Sequence, residues 1–492
     1  MPMHIITQPI TAQTRWPLHN KHLTHSIERA AQAALPPHTL MARAGLATAQ
    51  LALAIAPHAN TVWIACGPGN NGGDGLEAAV HLKQWGKLPI VTWLGQDGHV
   101  PPDAQRAYDK AQAANVVFQD EAPETFDIAI DAILGIGCQR APEGQMRAWL
   151  NAMSASDKPV LCIDMPTGLM ADTGEWLSPP DAANTSASRH TLSLLTLKPG
   201  LFTGDGQDAA GCVWFNDLGV LRPHTPSAWL QTAAQSQAPK PHNSHKGSFG
   251  DVVVIGGSQG MTGAAILASL SALHGGAGRV FLGLLDAQAA HAVTAQHPAL
   301  MLRNPAELSF ENATVVCGCG GGDDIRQWLP LILSSATRLV LDADALNAIA
   351  NDTMLLRLLT TRHTRQKHTV LTPHPLEAAR LLQCTVAEVQ KDRLYAAQQL
   401  ADRTHAIVAL KGSGTIVTSS QKLPVINITG NARLATAGTG DVLSGLIGAK
   451  IVRTDHVFEA CCLAVGMHGA IADQWPQHAS TLDAALLAAS VC

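Results

Sequence analysis

Residues 61–84 read TVWIACGPGNNGGDGLEAAVHLKQ, and this stretch decides how the first half of the chain folds. Thr61–Cys66 is a short apolar run, of the length and composition of a buried strand. Five glycines fall within Gly67–Gly75, and Leu76–Gly86 then takes up helical spacing. Strand, glycine loop and helix make the opening of an α/β unit. Gly67–Gly72 also satisfies G-x-G-x-x-G, the dinucleotide-binding fingerprint. Taken alone that match is weak. The loop is more specific in its polar content. Asn70, Asn71 and Asp74 place donors and acceptors on a backbone that can come close to a ligand, and the amides at the helix start favour phosphate.

The same alternation continues outward. Pro89–Leu94, Phe126–Ile133 and Val160–Asp164 read as strands, and Pro102–Ala114 and Gly144–Ser154 as helices. Ile27–Ala56 reads as a helical region broken around Pro36-Pro37. Alternating strands and helices predict a parallel sheet covered on both faces. In such a sheet the strand carboxyl ends line the ligand crevice. Asp74, Asp131 and Asp164 are therefore expected to converge on one cleft, where Asn, Asp and Thr oxygens suit a hard cation rather than zinc.

The second half repeats the style with different content. Asp251–Ile255, Arg279–Gly283, Thr314–Gly318, Arg338–Asp342, Thr369–Thr372 and Ile407–Leu410 read as strands. Gly263–His274, Leu376–Leu382, Val386–Arg403 and Val442–Val452 read as helices. No sequence repeat links the halves. Between them, residues 222–245 are rich in Pro, Ser, Gln and Ala without sustained pattern. The expected division is a first domain over 1–222, a linker over 223–242 and a second domain over 243–492.

In the second half Gly256–Ala265 forms another glycine loop, without the Gly-Lys-Ser/Thr ending of a Walker A loop. The sharper motif is Ala437-Gly438-Thr439-Gly440-Asp441, directly before helical Val442–Leu446. Its amides are expected to face a transferring phosphoryl group, and Asp441 sits where it can accept a proton from an attacking hydroxyl. Asp342–Asn347, Thr372–Glu377 and Lys411–Thr415 put further polar or glycine-rich segments at strand ends.

Bulk properties narrow the class. Hydrophobic residues are 46% and charged residues 14%, enough to build large cores and too apolar for disorder. A net charge of −5 without a basic run argues against nucleic acid. The 10 cysteines have neither zinc nor disulfide spacing and read as core residues in a reducing compartment. No signal-peptide core or membrane-length apolar run is present, so a soluble cytoplasmic protein is expected, with no membrane partner.

NNGGDGLEAAVHL, DAILGIG, IDMPTGLMADTG and LKPGL together resemble the NAD(P)H-hydrate epimerase family across the first half. The resemblance implies a Rossmann-like domain that interconverts the R and S forms of NAD(P)HX at C6 of the hydrated nicotinamide ring. By position, Asn70, Asn71, Gly72, Gly73 and Asp74, then Gly135, Ile136, Gly137, Cys138, Gln139, Arg140 and Ala141, and Asp164, would hold the substrate. Asn71, Asp131 and Thr167 would bind potassium, with Thr167 standing where the family usually has Ser. Asp131 is the expected acid/base group.

In the second half HKGSFGDVVVIGGSQGMTGAA, LDADALN, TPHPLEAARLL, LKGSGTIV and NITGNARLATAGTGDVLSG resemble the ADP/ATP-dependent NAD(P)H-hydrate dehydratases of the ribokinase-like superfamily. This implies loss of the C6 hydroxyl as water, driven by nucleotide hydrolysis, through a phosphorylated hydroxyl with Asp441 as base. Ala265, Gly322, His374 and Asp441 would contact NAD(P)HX. Lys411, Gly412, Ser413, Gly414, Thr415 and Gly440 would contact the nucleotide. Magnesium on the phosphates, ADP in preference to ATP, and a homo-oligomer are also expected. Gly318-Cys319-Gly320-Gly321-Gly322 departs from the family's usual Gly-Pro-Gly-Leu-Gly. The competing readings are a ribokinase-type vitamin-precursor kinase with an accessory first domain, and a binding or scaffold protein with a degenerate first domain.

Overall fold

A computed structural model describes residues 7–95, 100–181, 188–220, 225–231, 242–476, 478 and 481–491. The chain divides into two compact units, one dominated by residues 16–228 and the other by 229–492.

The first unit is built on a sheet of eight strands. Their order is Gln8–Pro9, Cys212–Asn216, Arg189–Leu194, Val160–Ile163, Ile128–Ala132, Thr61–Cys66, Leu88–Trp93 and Val117–Gln119. All neighbours are parallel except Gln8–Pro9, which pairs antiparallel with Cys212–Asn216. The central strands are buried along nearly their whole length, as expected when helices cover both faces. Thr61–Cys66 pairs with Leu88–Trp93 on one side and with Ile128–Ala132 on the other, so the strand order reverses beside it. That reversal opens a crevice at the carboxyl ends. Gly67 is required there, because a Cβ on it would lie 2.0 Å from the Ile133 carbonyl oxygen.

The helix after this loop spans Asn70–Gln84, six residues longer at its start than its apolar spacing suggested. Gly72, Gly73 and Asp74 are thus helical. Gly73 is packed beneath Met41, where a Cβ would come within 2.6 Å of the methionine methyl. Tertiary contact overrides the low helix propensity of glycine. Before the first central strand, Lys21–Ala34 and Thr39–Ile55 are two helices separated at the two prolines.

The second unit repeats the device. Its sheet runs Met301–Leu302, Arg279–Leu284, Asp251–Gly256, Thr314–Cys317, Arg338–Leu341, His368–Leu371, Ile407–Leu410, Ile416–Ser419, Lys422–Ile426 and Ala228–Leu230. It is parallel except around Ile416–Ser419, which pairs antiparallel on both sides. The order reverses beside Asp251–Gly256, and a Cβ on Gly256 would sit 2.2 Å from the Cys319 carbonyl oxygen. Thr262–His274 and Thr439–Ile451 pack together on this sheet. The second helix starts at Thr439, three residues ahead of its expected start, and is buried nearly all round.

Two expectations change. Residues 223–242 are not patternless throughout. Ala228–Leu230 is a strand whose Trp229 and Leu230 pair parallel with Val425 and Ile426. A three-residue apolar run among polar neighbours carries too little periodicity to show in sequence. Residues 223–224 and 232–241 lie outside the described residues. The helix expected over Val386–Arg403 is two, Val386–Lys391 and Arg393–Thr404. Asp392 breaks it by capping the second, accepting from the Tyr395 amide at 2.9 Å.

Candidate active sites

At the reversal of the first sheet lies a cavity of about 370 Å³. Asn70, Asn71 and Asp74 reach it from the start of the glycine-rich helix. The first backbone bond of that helix runs from Gly73 to Gly69, so the amides of Asn70, Asn71 and Gly72 precede the bonded ladder. Gly135, Ile136, Gly137 and Cys138 form a second wall, and Asp164 stands at the end of its strand. Gln139, Arg140 and Ala141 do not line the cavity, and Gly72 and Gly73 are buried in packing.

Asp164 takes a left-handed backbone conformation, φ 66°. One of its oxygens is ion-paired with Lys198, and the other accepts from the Ile136 amide at 3.1 Å. Lys198 is itself fully buried and also donates to the Leu194 carbonyl at 2.7 Å. It stands in LKPGL, but nothing in the sequence pointed to its partner.

Asp131, expected as the acid/base, is placed differently. It is 1% exposed and does not line the cavity. Oδ1 accepts from the Thr167 hydroxyl at 2.7 Å and the Ile133 amide at 3.2 Å, and Oδ2 accepts from the Thr167 amide at 3.0 Å. Burial raises its pKa, and these bonds pull it back down. Its oxygens are taken up by the Ile133 amide and by Thr167 in the loops that follow the two neighbouring strands. The Asn71 side-chain nitrogen, at the start of the glycine-rich helix, is buried without a hydrogen-bond partner among the described residues.

Asp74 contrasts with both. Its carboxyl lines the cavity and has no hydrogen-bond or ion-pair partner among the described residues. Burial, then the negative charges of Asp164, Glu28, Glu77 and Asp103, hold its pKa well above the usual carboxylate range. Glu28 and Asp103 also line the cavity, from helices whose apolar spacing gave no hint of a site.

The second site gathers around Asp342, which is 1% exposed. Its Oδ1 pairs with Lys411 Nζ at 2.7 Å, and its Oδ2 accepts from Ser444 Oγ at 2.5 Å. Burial opposes the charge on Lys411, but Asp342 and Glu377 outweigh it and raise its pKa. Lys411 Nζ would lie 3.2 Å from a Cβ on Gly440. Gly438 turns left-handed, φ 89°, and the first helical bond runs from Val442 to Gly438. The amides of Thr439, Gly440 and Asp441 therefore precede the ladder, beside a lysine: an arrangement that favours an anion.

Asp441 is partly exposed, and its pKa is raised to about 6, first by burial and then by the negative charge of Asp342. The buried Cys319 thiol, Asp342 and Asp441 bring one ligand atom each to within 4.8 Å of one another. The thiol hydrogen bond and Lys411 counter the rise at Asp441.

The remaining expected residues fall into place unevenly. His374 is exposed and caps Pro375–Leu382, its Nδ1 accepting from the Leu376 amide at 3.2 Å. Burial, then Lys411, lowers its pKa, so it is a neutral ring near the site. The Gly322 amide donates to Asp344 at 2.9 Å. Ala265 is fully buried, and its methyl offers no free surface. In the Lys411–Thr415 turn, Thr415 Oγ1 donates to the Gly412 carbonyl at 3.1 Å. Ser413 is exposed and Gly414 buried in the same turn. Arg393, missed in the sequence, braces the turn from behind by donating to the Lys411 carbonyl at 3.1 Å.

Two family models match, one in each half of the chain. The family model described as NAD(P)H-hydrate dehydratase matches residues 252–491. The model described as YjeF-related protein N-terminus matches residues 37–200. The bifunctional NAD(P)H-hydrate repair enzyme of Escherichia coli is 35% identical over 467 residues, 89% of this chain and 85% of the relative. That of Vibrio cholerae is 33% identical over 460 residues, covering 88% of each. That of Leishmania braziliensis is 32% identical over 494 residues, 88% of this chain and 84% of the relative. With both halves matched and such relatives covered over most of their length, the chain belongs to the family of bifunctional NAD(P)H-hydrate repair enzymes.

Proposed function

We propose that this chain repairs hydrated nicotinamide cofactors in two steps. The first unit interconverts R and S NAD(P)HX at C6. The second dehydrates the S form to NAD(P)H at the expense of ADP, or of ATP. The observation that carries the reading is Asp441: a carboxylate next to unbonded helix-start amides and Lys411, in a chain whose other unit carries the Asn-Asn-Gly-Gly-Asp cavity.

In the second unit the amides before Val442 and the Lys411 ammonium grip the phosphoryl group. Asp441 takes the proton of the C6 hydroxyl as that oxygen attacks. Expulsion of phosphate and loss of the C5 proton then restore the reduced ring. Lys411–Thr415 and Gly440 contact the nucleotide, and Gly322 and His374 border the substrate. Magnesium, bound through the nucleotide's phosphates, would neutralise charge on the transferring group. Among the described carboxylates here, Asp342 is already closed by Lys411 and Ser444 and cannot head a protein cage.

In the first unit Asn70, Asn71, Asp74, Gly135–Cys138 and Asp164 border the substrate. The oxygens of Asp131, Thr167 and the Asn71 side chain would suit potassium in donor type. The ion would supply charge compensation for a buried carboxylate. We place the activity in the cytoplasm and in a homo-oligomer.

The test is to mix the protein with S-NADHX and ADP. Regained absorbance of the reduced nicotinamide is expected. A stable phosphorylated alcohol without that absorbance would instead make it a small-molecule kinase.

A further inference from the structure

We propose that Asp74, and not Asp131, is the proton-transferring residue of the epimerase cavity, acting as an undissociated carboxylic acid that shuttles protons between the C6 hydroxyl and N1. This deepens the epimerase reading above and rests on it.

Of the carboxylates at or beside this crevice, Glu28 and Asp103 are within ion-pair distance of His25 and His38, and the surroundings of the other three, Asp74, Asp131 and Asp164, separate their chemistry. Both oxygens of Asp131 are used by Thr167 and the Ile133 amide. Asp164 is held by Lys198 on one oxygen and by the Ile136 amide on the other. Each is held on both oxygens as a hydrogen-bond acceptor, which fixes its orientation and favours its charged form. Asp74 alone of the three lines the cavity with a carboxyl that has no hydrogen-bond or ion-pair partner among the described residues.

The charges around Asp74 come from every side. Glu28 faces it from Lys21–Ala34, Asp103 from the start of Pro102–Ala113, Asp164 from the strand end, and Glu77 from its own helix. The basic side chains nearby are already committed. Lys198 pairs with Asp164, and Lys110 and His38 pair with Glu77 at 2.6 Å each. His25 pairs with Glu28 at 3.2 Å. A carboxyl ringed by like charges and short of a cation keeps its proton. Burial and these charges favour the protonated form, which offers one O–H and one free acceptor oxygen.

That form matches the reaction. The substrate carbon C6 carries a hydroxyl and is bonded to N1, which makes it a hemiaminal. Its configuration inverts if the ring opens and recloses on the other face. Opening moves the hydroxyl proton to the acceptor oxygen of Asp74, while the O–H of Asp74 passes its proton to N1. The C6–N1 bond breaks with its electron pair going to N1, and C6 becomes an aldehyde carbonyl. Rotation about C5–C6 presents the other face, and the same transfers in reverse close the ring. Asp74 ends protonated, and no oxidant, reductant or added water is consumed. An ionised carboxylate engaged on both oxygens cannot do this.

The experiment compares Asp74→Asn, Asp74→Glu and wild type in the full chain, following conversion of S-NADPHX to R-NADPHX without nucleotide. For wild type, exchange is expected to fall as pH rises and the acid ionises. Asp74→Asn keeps a donor and an acceptor of the same shape but cannot transfer a proton. Its kcat for exchange should drop at least about 100-fold with little change in KM. Its dehydration of S-NADPHX with ADP should stay at the wild-type rate, which shows that the chain is folded. Asp74→Glu should retain part of the exchange together with the alkaline decline. Exchange by Asp74→Asn within about threefold of wild type overturns the inference, as does a loss confined to KM, which would make Asp74 a binding group only. Wild type without any exchange overturns the epimerase reading itself, and this inference with it.

Discussion

Asp441 and Lys411 show how much depends on single side chains. In the proposed role Asp441, raised to about 6, must be ionised to accept the hydroxyl proton, so the sign is fixed. Below that pH the carboxyl is protonated and dehydration falls about tenfold per unit, while above it the rate is level. A pH profile of kcat/KM for S-NADHX with ADP checks this. Asp441→Asn should lower dehydration at least about 100-fold and erase that acidic limb. Lys411→Met should act on folding as well as on nucleotide. It strips the partner from an Asp342 that is 1% exposed, and leaving a buried charge unpaired costs about 3 kcal/mol or more. The measurement is urea denaturation, with Lys411→Met, Asp342→Asn expected to recover part of the loss.

At the scale of elements, both units solve one problem in the same way. A strand must end and its chain must cross the exit of the neighbouring strand to make a crevice, and only glycine fits at the crossing. Gly67 meets the Ile133 carbonyl, and Gly256 meets the Cys319 carbonyl. An added methyl has backbone in front of it rather than a side chain that can swing away. Gly67→Ala should therefore destabilise by about 2 kcal/mol or more and reduce exchange, and Gly256→Ala should do the same for dehydration. Thermal melting and the two assays check both. The ion belongs to this scale too, because its expected ligands come from a helix start, a strand end and the loop carrying Thr167. Replacing potassium with lithium should slow exchange and leave the mechanism of dehydration untouched, read in the two assays side by side.

Across the whole molecule the two chemistries reside in separate compact units. Asp74→Asn and Asp441→Asn should therefore complement each other. Either protein alone should convert an R/S mixture incompletely or slowly, and an equimolar mixture should take it to NADPH as wild type does. Failure of the mixture would mean that each activity needs both functional sites in one chain. The physical logic is stereochemical: a chiral dehydration site favours one configuration at C6, and an epimerase supplies it from the other.

The sequence by itself determined the alternation of strands and helices, the two glycine loops and the polar strand ends. Those are local facts, carried by spacing and by residue type, and they were sufficient to bring Asp74 and Asp164 to the first cavity and to set Lys411 after a strand and Asp441 at a helix start. Short strands such as Ala228–Leu230 escaped, because three residues hold no period. Tertiary structure alone decided which carboxylates are occupied. Asp74, Asp131 and Asp164 look alike as letters. Thr167 closes the second and Lys198 the third, from 36 and 34 residues away along the chain, while the first is left open. Availability for chemistry depends on what the fold brings against each oxygen, and long-range contacts of that kind leave no local pattern to read.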